Sequence, residues 1–235
     1  NTAGGFGQYI RIPAGWVVPL PPGLTLREAM IYGTAGFTAA LSVWQMIDSG
    51  IRSEDGTILV SGATGGVGSI AVSILSKSGY TVTAVNGVVD EAAYLKQIGA
   101  GDVISIADAT DTSGRPMLKS RWAGGIDTVG GDILATTIKS VAPNGAVTCC
   151  GNVASPDLPL NVFPFILRGA RLIGIDSQNC PMPLRQKIWQ KIASDWKIDW
   201  LETLTTEAPF EELDNRIELM LQGKHKGRTI IRMAD

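Results

Sequence analysis

The sequence predicts an α/β protein with a doubly wound parallel sheet, and three observations carry that prediction. Residues 58–60 form a short apolar run, and four glycines follow it within seven positions: Gly62, Gly65, Gly66 and Gly68. Apolar residues then recur at the spacing of a helix, from Val67 to Leu75. Short apolar runs and helical patterns alternate along most of the chain that follows. Such alternation indicates a parallel sheet covered on both faces, with its ligand at the carboxyl ends of the strands.

Composition and charge exclude several other classes of protein. The 235 residues are 45% hydrophobic and 18% charged, as in an ordinary globular protein with an ample core. A net charge of −2 without a basic block argues against a nucleic-acid partner. The apolar stretches are too interrupted for a transmembrane helix, and we recognise no signal peptide, so we expect no membrane partner.

Cysteine and histidine usage indicates a reducing, cytoplasmic setting without a metal. Cys149, Cys150 and Cys180 are too few and wrongly spaced for a disulfide framework. The first two fall in a predicted core strand, where inert packing is the expected role. The single histidine, His225, lies in a basic turn and is expected to be solvated. Because no C-x-x-C pair accompanies it, we predict no zinc site.

The remaining elements are predicted from caps, chain breakers and periodicity. Residues 1–24 look irregular and β-like, with a candidate short strand at 9–13. Thr25 and Glu28 form a capping box that starts a helix, which residues 33–36 interrupt before it continues to Ile47. The predicted strands of the sheet are 58–60, 80–85, 102–106, 125–129, 146–150 and 171–176. Later helices are predicted at 90–98, 133–141, 184–196 and around 210–221, with a candidate helix at 117–122 and a closing strand at 227–233.

The glycine turn is the first candidate binding site. A literal G-x-G-x-x-G string is not met, although Ala63-x-Gly65-x-x-Gly68 matches it with one relaxed position. A strand, a glycine turn and a helix together lay a diphosphate across a helix N-terminus, where free N–H groups and the helix dipole meet its charge. We therefore predict a dinucleotide site, with a plain tight turn in a sheet that binds something else as the alternative.

The end of the second predicted strand bears on the choice of dinucleotide. An Asp or Glu there would hold the ribose hydroxyls of NAD, but the chain has Asn86, Gly87 and Val88. A neutral asparagine permits the 2′-phosphate of NADP, yet no arginine or lysine stands beside it to hold that phosphate. The preference between NADP(H) and NAD(H) stays open at this point, and a simple turn is the alternative.

Two further observations concern catalytic groups. Asp127 lies inside an apolar strand, so a hydrogen-bonded structural role is expected for it rather than catalysis. None of the four tyrosines has a lysine four residues on, which sets aside the Tyr-x-x-x-Lys chemistry of short-chain dehydrogenases. Tyr94 and Trp122 are expected to pack in the core.

Six motifs in order resemble the zinc-free medium-chain dehydrogenase/reductases, which are often labelled quinone oxidoreductases. They are AMIYGTAGFTA at 29–39, VSGATGGVGS at 60–69, WAGGIDTVG at 122–130, PFILR at 164–168, RLIGIDS at 171–177 and GRT at 227–229. The branch they resemble most is that of the acrylyl-CoA reductases. The resemblance covers nearly the whole chain, so it is far more specific than the glycine turn alone.

The resemblance implies a division into parts of two domains. Residues 1–24 correspond to the end of a GroES-like β catalytic domain, 25–199 to a Rossmann-like dinucleotide-binding domain, and 200–235 to the segment that returns to the catalytic domain. Most of the catalytic domain, with the family tyrosine that approaches the nicotinamide, is then expected to be missing, so no catalytic residue is assigned. A homodimer through the strand at 171–176 is also implied.

The family motifs imply a set of cofactor contacts. The diphosphate cradle corresponds to Thr64, Gly65, Gly66 and Val67. The adenosine ribose and its 2′-phosphate correspond to Asn86, Gly87 and Val88, where the family commonly has Ser-Gly-Arg. The nicotinamide side and a late contact from the tail correspond to Asn152, Ile166, Ser177 and Gly223. Val88 and Ile106 stand where close relatives carry arginine, so the grip on a 2′-phosphate is expected to be weak.

The function implied by the resemblance is the reduction of an activated C=C bond with NAD(P)H. A 2-enoyl-CoA such as acrylyl-CoA is the expected substrate, with hydride delivered to its β-carbon. One alternative is a reductase of quinones or small enones. The other is a protein that binds nucleotide without catalysis, either crystallin-like or truncated.

Overall fold

The computed structural model describes residues 5–87 and 91–233, and its centre is a six-stranded parallel sheet with the order β3-β2-β1-β4-β5-β6. The strands are β1 Ile58–Val60, β2 Val82–Asn86, β3 Asp102–Ser105, β4 Trp122–Asp127, β5 Val141–Cys149 and β6 Arg171–Gly174. This order reverses direction between β1 and β4, which is the position where doubly wound sheets bind their ligands. The predicted fold class is confirmed.

Seven α-helices occur in the described ranges, and six of them cover the two faces of the sheet. They are α1 Leu26–Asp48, α2 Gly66–Lys77, α3 Ala92–Gln97, α4 Gly131–Ser140, α5 Phe163–Arg168, α6 Met182–Ala193 and α7 Leu213–Leu221. Alternate residues of β1 enter opposite cores, as the two-residue period of a strand requires. Ile58 and Val60 pack in a core with α1, α2, α3 and α6, whereas Leu59 packs in a second core with α4 and α5.

The first helix has a break that prepares the binding site. Thr25 and Glu28 make the predicted capping box, with the Glu28 amide 3.1 Å from Thr25 Oγ1. Gly33 interrupts the helix with φ 48° and ψ −151°, a backbone conformation that side chains rarely adopt. The predicted interruption is therefore confirmed, and it falls where the helix passes the glycine turn.

Two local predictions are wrong, and two elements were not predicted. Residues 9–13 form no strand, and residues 117–121 run extended beside α4 instead of forming a helix. The amides of Leu118 and Arg121 donate to the carbonyls of Lys139 and Ser140, and Trp122 already begins β4. The short helix α5 and a strand β7 at Thr205–Pro209 were missed. Only Ala208 of β7 is buried, so no apolar alternation marked that strand.

The tail forms a separate two-stranded sheet that packs on the main core, where Leu201 and Leu204 are buried, and contacts the glycine turn. Strand β7 pairs in parallel with β8, Arg228–Arg232, outside the six-stranded sheet. The amide of Gly227 donates to the carbonyl of Thr64 at 2.9 Å, and Arg27 of α1 pairs with Glu202 and Glu207 of the tail. No helix in the described ranges is long and apolar enough to cross a membrane.

Candidate active site

The candidate site lies at the carboxyl edge of the parallel sheet. Because all six strands run the same way, the segments that follow them gather at this edge. They are the glycine turn at 61–65 after β1, the turn at 128–130 after β4, the segment at 150–152 after β5 and the segment at 175–177 after β6. The glycine turn and the turn after β4 flank the point at which the strand order reverses.

Two glycines of the turn are required by close packing. A Cβ on Gly62, which has φ +58°, would lie 2.1 Å from Thr128 Oγ1. A Cβ on Gly68 would lie 2.2 Å from the carbonyl oxygen of Gly62, so a side chain there would push helix α2 off the turn. By contrast, Gly65 has an ordinary extended backbone, with φ −76° and ψ 175°. A Cβ on Gly65 would lie 3.3 Å from the Gly62 carbonyl oxygen, a much smaller overlap than at Gly62 or Gly68, and the missing side chain leaves the helix N-terminus accessible.

Asp127 fixes the glycine turn against the turn that follows β4. Its carboxylate is buried, accepts a hydrogen bond from Ser61 Oγ at 2.7 Å, and accepts another from the Gly130 amide at 2.8 Å. Ser61 Oγ in turn accepts from the amide of Thr128 at 3.0 Å. Burial raises the pKa of Asp127, and these hydrogen bonds oppose the rise. The structural role predicted for Asp127 is confirmed.

Helix α2 presents its N-terminus to this edge without a side-chain cap. Gly65 occupies the cap position, and no side-chain hydrogen bond is made there. The amides of the first helical turn, at Gly66, Val67 and Gly68, have no carbonyl partner within the helix. They lie at the N-terminal end of the helix, which carries a partial positive charge. An anion is the ligand that satisfies both features.

Arg228 lies against this helix end, although sequence reasoning did not assign it to the site. Its Nε donates to the carbonyl of Ile31 at 2.8 Å, just before the break in α1 at Gly33. A Cβ added to Gly66 would meet Arg228 Nη1 at 2.9 Å, and one added to Gly33 would meet Nη2 at 3.1 Å. The guanidinium therefore sits between two glycine backbones that leave room for it. The signal in the sequence was the GRT motif, which marked a family but gave no spatial neighbour.

Within the described residues, no acidic side chain balances the charge of Arg228. No carboxylate in the described part of the protein lies within 4.0 Å of its guanidinium nitrogens. Burial removes part of the solvation of this cation and thereby lowers the pKa of Arg228. A half-buried cation beside a positive helix end is unfavourable until an anion joins it. The site therefore has the donors and the charge that a diphosphate group needs.

A cleft of about 1140 Å³ runs beside this cation. It lies between α1, the end of the sheet and strand β8, and Val67, Ser177 and Arg228 are among the residues that line it. Its size is that of a site for a cofactor or another extended ligand. Cys150 also lines the cleft, but burial raises the pKa of its thiol to about 12, so it is not a thiolate nucleophile near neutral pH.

The sequence-predicted contacts fall into two groups. The glycine turn brings together Thr64, Gly65, Gly66 and Val67, and Ser177 joins them across the cleft. Val67 and Ser177 are the two predicted contacts that line the cleft, and Thr64, Gly65 and Gly66 adjoin Val67 in the chain. The other group lies away from the cleft: Asn152 is exposed beyond β5, Ile166 is 67% exposed on α5, and Gly223 is exposed after α7.

The residues predicted to contact the adenosine ribose lie at the carboxyl end of β2. Asn86 is the last residue of β2, and Gly87 follows it at the carboxyl edge. Val88 lies outside the described residues. A Cβ on Gly87 would meet Ile106 Cδ1 at 3.2 Å, so this isoleucine reaches the end of β2. An apolar side chain thus stands next to Gly87, at the place where close relatives were expected to carry arginine.

Two side-chain predictions are resolved by burial. We expected His225 to be solvated, but it is half-buried. Its Nε2 lies 3.0 Å from Thr229 Oγ1, and burial lowers the pKa of its imidazole. Tyr94 packs in the core as predicted, with Lys226 Nζ 4.7 Å from its ring centre. In the described ranges, no group of three or more His, Cys, Asp or Glu residues could hold a metal ion.

Comparison with known proteins gives the family. Residues 66–195 match the zinc-binding dehydrogenase family. The chain is 46% identical over 231 residues to YhfP of Bacillus subtilis, whose name places it provisionally among the quinone oxidoreductases. It is 40% identical over 228 residues to the acrylyl-CoA reductase AcuI of Ruegeria pomeroyi. These alignments cover 98% and 97% of the chain, and 70% and 69% of the two relatives.

Solved structures agree with the sequence matches. The yhdH oxidoreductase of Salmonella enterica, solved in complex with NADP, superposes with a TM-score of 0.95 and is 39% identical. That match covers 98% of the chain and 71% of the solved one. Bacillus subtilis yhfP, solved with NAD bound, gives a TM-score of 0.92 at 46% identity, covering 95% of this chain and 68% of its own.

The sheet order and the close-packed glycine turn define a dinucleotide-binding domain class of the Rossmann type. Within that class, the chain belongs to the medium-chain dehydrogenase/reductases of the quinone oxidoreductase and acrylyl-CoA reductase type. The resemblance read from the six motifs is confirmed.

Proposed function

We propose that this protein reduces the activated C=C bond of a 2-enoyl thioester, such as acrylyl-CoA, with NAD(P)H. The observation that carries the proposal is the Arg228 guanidinium at the uncapped N-terminus of α2, beside a cleft large enough for a dinucleotide. Among the described residues, no carboxylate pairs with this guanidinium. The names of the relatives support the reaction class, since one is an acrylyl-CoA reductase and two solved relatives hold NADP or NAD.

The proposal assigns roles to residues of this chain. The amides of Gly66 and Val67 and the guanidinium of Arg228 would hold the diphosphate, and Thr64 and Gly65 would complete the cradle. Ser177 would contact the nicotinamide side from across the cleft. A bound reduced nicotinamide would supply the hydride. The protein would hold the reacting carbons together and exclude water, which are its main contributions to the rate.

Three predicted contacts lie away from the cleft. We propose that Asn152 and Ile166 contact the nicotinamide side of the cofactor, and that Gly223 contacts the cofactor from the tail. Asn152 has the best placement, because its Cα is 3.3 Å from the position of a Cβ on Gly130, in the turn after β4. Substitution of Ile166 or Gly223 is accordingly expected to change cofactor affinity less than substitution of Arg228.

The choice between NADP(H) and NAD(H) depends on the end of β2. We propose that both are bound, because Asn86 does not repel a 2′-phosphate while Ile106 beside Gly87 offers it no charge. Separate titrations with NADPH and NADH, followed by nicotinamide fluorescence, test this. Dissociation constants within about tenfold of each other are expected, a difference of about 1.4 kcal/mol. A strong preference for NADPH would contradict the weak phosphate grip.

The substrate is tested by stopped-flow oxidation of NADPH. Acrylyl-CoA should be reduced faster than a simple quinone at equal concentration, and absence of turnover with the thioester would refute the proposal. Turnover with the quinone alone would favour the quinone or small-enone alternative. Cofactor binding without turnover of either substrate would favour the non-catalytic alternative.

Several family properties complete the proposal. Residues 1–24 and 200–235 would belong to a GroES-like catalytic domain, and 25–199 would form the cofactor domain. The reaction would need no zinc, and the setting would be cytoplasmic, in keeping with three free cysteines. The open edge of β6 would pair with a second copy to form a homodimer.

A further inference from the structure

A chain of hollows continues from the cleft around the side of the domain. The cleft and a hollow of about 460 Å³, here the arginine pocket, share four lining residues: Gly33, Thr34, Ser177 and Trp189. The arginine pocket shares Gln178 and Arg185 with a further hollow of about 510 Å³, here the tryptophan pocket, which Trp16 closes. The three hollows therefore form one extended groove with Ser177 at its inner end and Trp16 at its outer end.

Arg185 divides the two outer hollows and is fixed in place. Its Nη2 donates to the carbonyls of Ser177 and Gln178 at 2.9 and 3.0 Å. Its guanidinium carbon lies 4.7 Å from the ring centre of Phe37, and that ring stacks with Trp189 at 6.2 Å. Both interactions hold the planar group without neutralising it.

The remaining donors of Arg185 have no acidic partner. No carboxylate in the described ranges lies within 4.0 Å of its guanidinium nitrogens. In contrast, Arg27, Arg216 and Arg232 each pair with a glutamate. A fixed cation with free donors in a groove is suited to a phosphate group, which guanidinium binds in a bidentate manner.

We infer that this groove holds the nucleotide end of a CoA thioester, with a phosphate on Arg185 and the adenine base against Trp16. The inference rests on the proposed function and adds the substrate-recognition residues to it. The groove starts beside Ser177, runs past a cation and ends at an exposed indole. A thioester with a small acyl end, a long neutral arm, phosphates and an aromatic base has its groups in the same order. A small quinone or enone would leave the outer hollows unused.

Kinetics with two thioesters of the same acyl group test the subsite. Acrylyl-CoA is compared with the acrylyl thioester of N-acetylcysteamine, which lacks the nucleotide, in NADPH-saturated protein expressed from its complete reading frame. Arg185→Gln should lower kcat/KM for acrylyl-CoA about tenfold relative to the short thioester, as expected for one charge-assisted contact. Displacement of Ser177 by the substitution would slow both substrates equally, so it would not alter the ratio.

A matched control uses another arginine with the same kind of ring contact. Arg121 lies 4.5 Å from the Trp122 ring centre and lines none of the three hollows. Arg121→Gln should leave the ratio between the two thioesters unchanged. Trp16→Ala should lower the ratio about fivefold or more, since stacking on a base is worth roughly 1–3 kcal/mol. A ratio that stays at the wild-type value in both Arg185→Gln and Trp16→Ala would overturn the inference while leaving the proposed function intact.

A binding measurement separates this inference from the proposed function. Calorimetric titration of the NADP-saturated protein with free CoA needs no turnover. The expected result is binding by the wild type and about tenfold weaker binding by Arg185→Gln, with pantetheine binding weakly to both. Absence of CoA binding by the wild type would overturn the inference. Binding of CoA without reduction of either thioester would retain the subsite and refute the proposed reaction.

Discussion

At the scale of single residues, Arg228 links three parts of the molecule. It lies on the tail strand β8, donates to the carbonyl of Ile31 in α1, and faces Gly66 at the start of α2. Its charge is half-buried and lacks a carboxylate partner in the described ranges, so an anionic ligand would stabilise it. The proposed diphosphate site therefore depends on residues from the tail, from α1 and from α2.

Arg228→Gln should weaken NADPH binding about tenfold or more, because it removes a charged donor from the diphosphate site. Arg232→Gln is the matched control, since Arg232 lies on the same strand but is mostly exposed. Fluorescence titration measures both, and melting temperatures check that the variants fold. An unchanged dissociation constant in a folded Arg228→Gln protein would exclude Arg228 from the cofactor site.

A second residue-scale prediction concerns the ion pair between Asp111 and Lys139. Lys139 Nζ donates to Asp111 Oδ2 at 2.9 Å, and the side chains of Lys139 and Asp111 are only 12% and 9% exposed. This hydrogen bond, with one from Ser113, lowers the pKa of Asp111 from 3.8 to about 2. A lowered pKa stabilises the fold above the unfolded value, and that contribution is lost as the pH falls from about 4 towards 2.

Asp111→Asn should therefore lower the free energy of unfolding at pH 7 by about 1–3 kcal/mol. Denaturant titration at several pH values gives the difference between variant and wild type. That difference should be constant from pH 5 to 7 and should shrink below about pH 4, because the wild-type carboxylate then becomes protonated. A difference independent of pH down to about 2 would show that the charge does not stabilise the fold.

At the scale of elements, the glycines of the turn meet two different requirements, although they form one motif in the sequence. One requirement is close packing of the strand, the turn and α2, and the other is access to the N-terminus of α2. Gly62 and Gly68 allow the strand, the turn and α2 to approach, since a side chain on either would overlap other atoms. Gly65 has a backbone that any residue can adopt, and a Cβ there would lie 3.3 Å from the nearest carbonyl oxygen. Gly62 and Gly68 therefore serve the fold, whereas Gly65 is the glycine that we propose serves the ligand.

Alanine substitutions distinguish these roles. Gly68→Ala should destabilise the protein by about 3 kcal/mol through overpacking against the Gly62 carbonyl. Gly65→Ala should change stability by less than about 1 kcal/mol, yet it should weaken NADPH binding about tenfold because the methyl group stands over the helix N-terminus. Thermal unfolding and fluorescence titration measure the two effects. Equal losses of stability in both variants would refute the division.

At the scale of the whole molecule, β6 forms one of the two edges of the sheet. In the described part of the chain β6 pairs with β5 alone, so the backbone groups on its other side are open to pairing. Residues 172 and 173 pack against the two cores, which keeps the strand regular enough to pair. Pairing with a second copy would extend the sheet across both molecules.

We expect light scattering after gel filtration to give twice the chain mass of 24.8 kDa. Gly174→Pro is the test of the contact, because proline removes a backbone donor from an exposed position of β6. It should reduce the mass towards that of one chain while NADPH binding is retained. A wild type that has the mass of one chain at all concentrations would refute the homodimer.

The sequence alone determined the class of fold and the position of the glycine turn. Apolar strand patterns, the capping box at Thr25 and the helical spacing after Gly68 are local signals, and local physics decides them. The sequence could not predict strand β7, whose residues carry no apolar alternation. It also assigned a helix to 117–122, where hydrogen bonds to the end of α4 hold the chain extended.

Only the tertiary structure decided which distant residues meet. Arg228 and Gly66 are far apart in the chain, and no pattern in either segment reveals their contact. The same holds for the row formed by Ser177, Arg185 and Trp16, which depends on how α6 packs on α1. Periodicity determines which face of an element is buried, and it can be read from neighbouring residues. Which side chains from different elements meet to form a binding site depends on packing between segments that are remote in sequence.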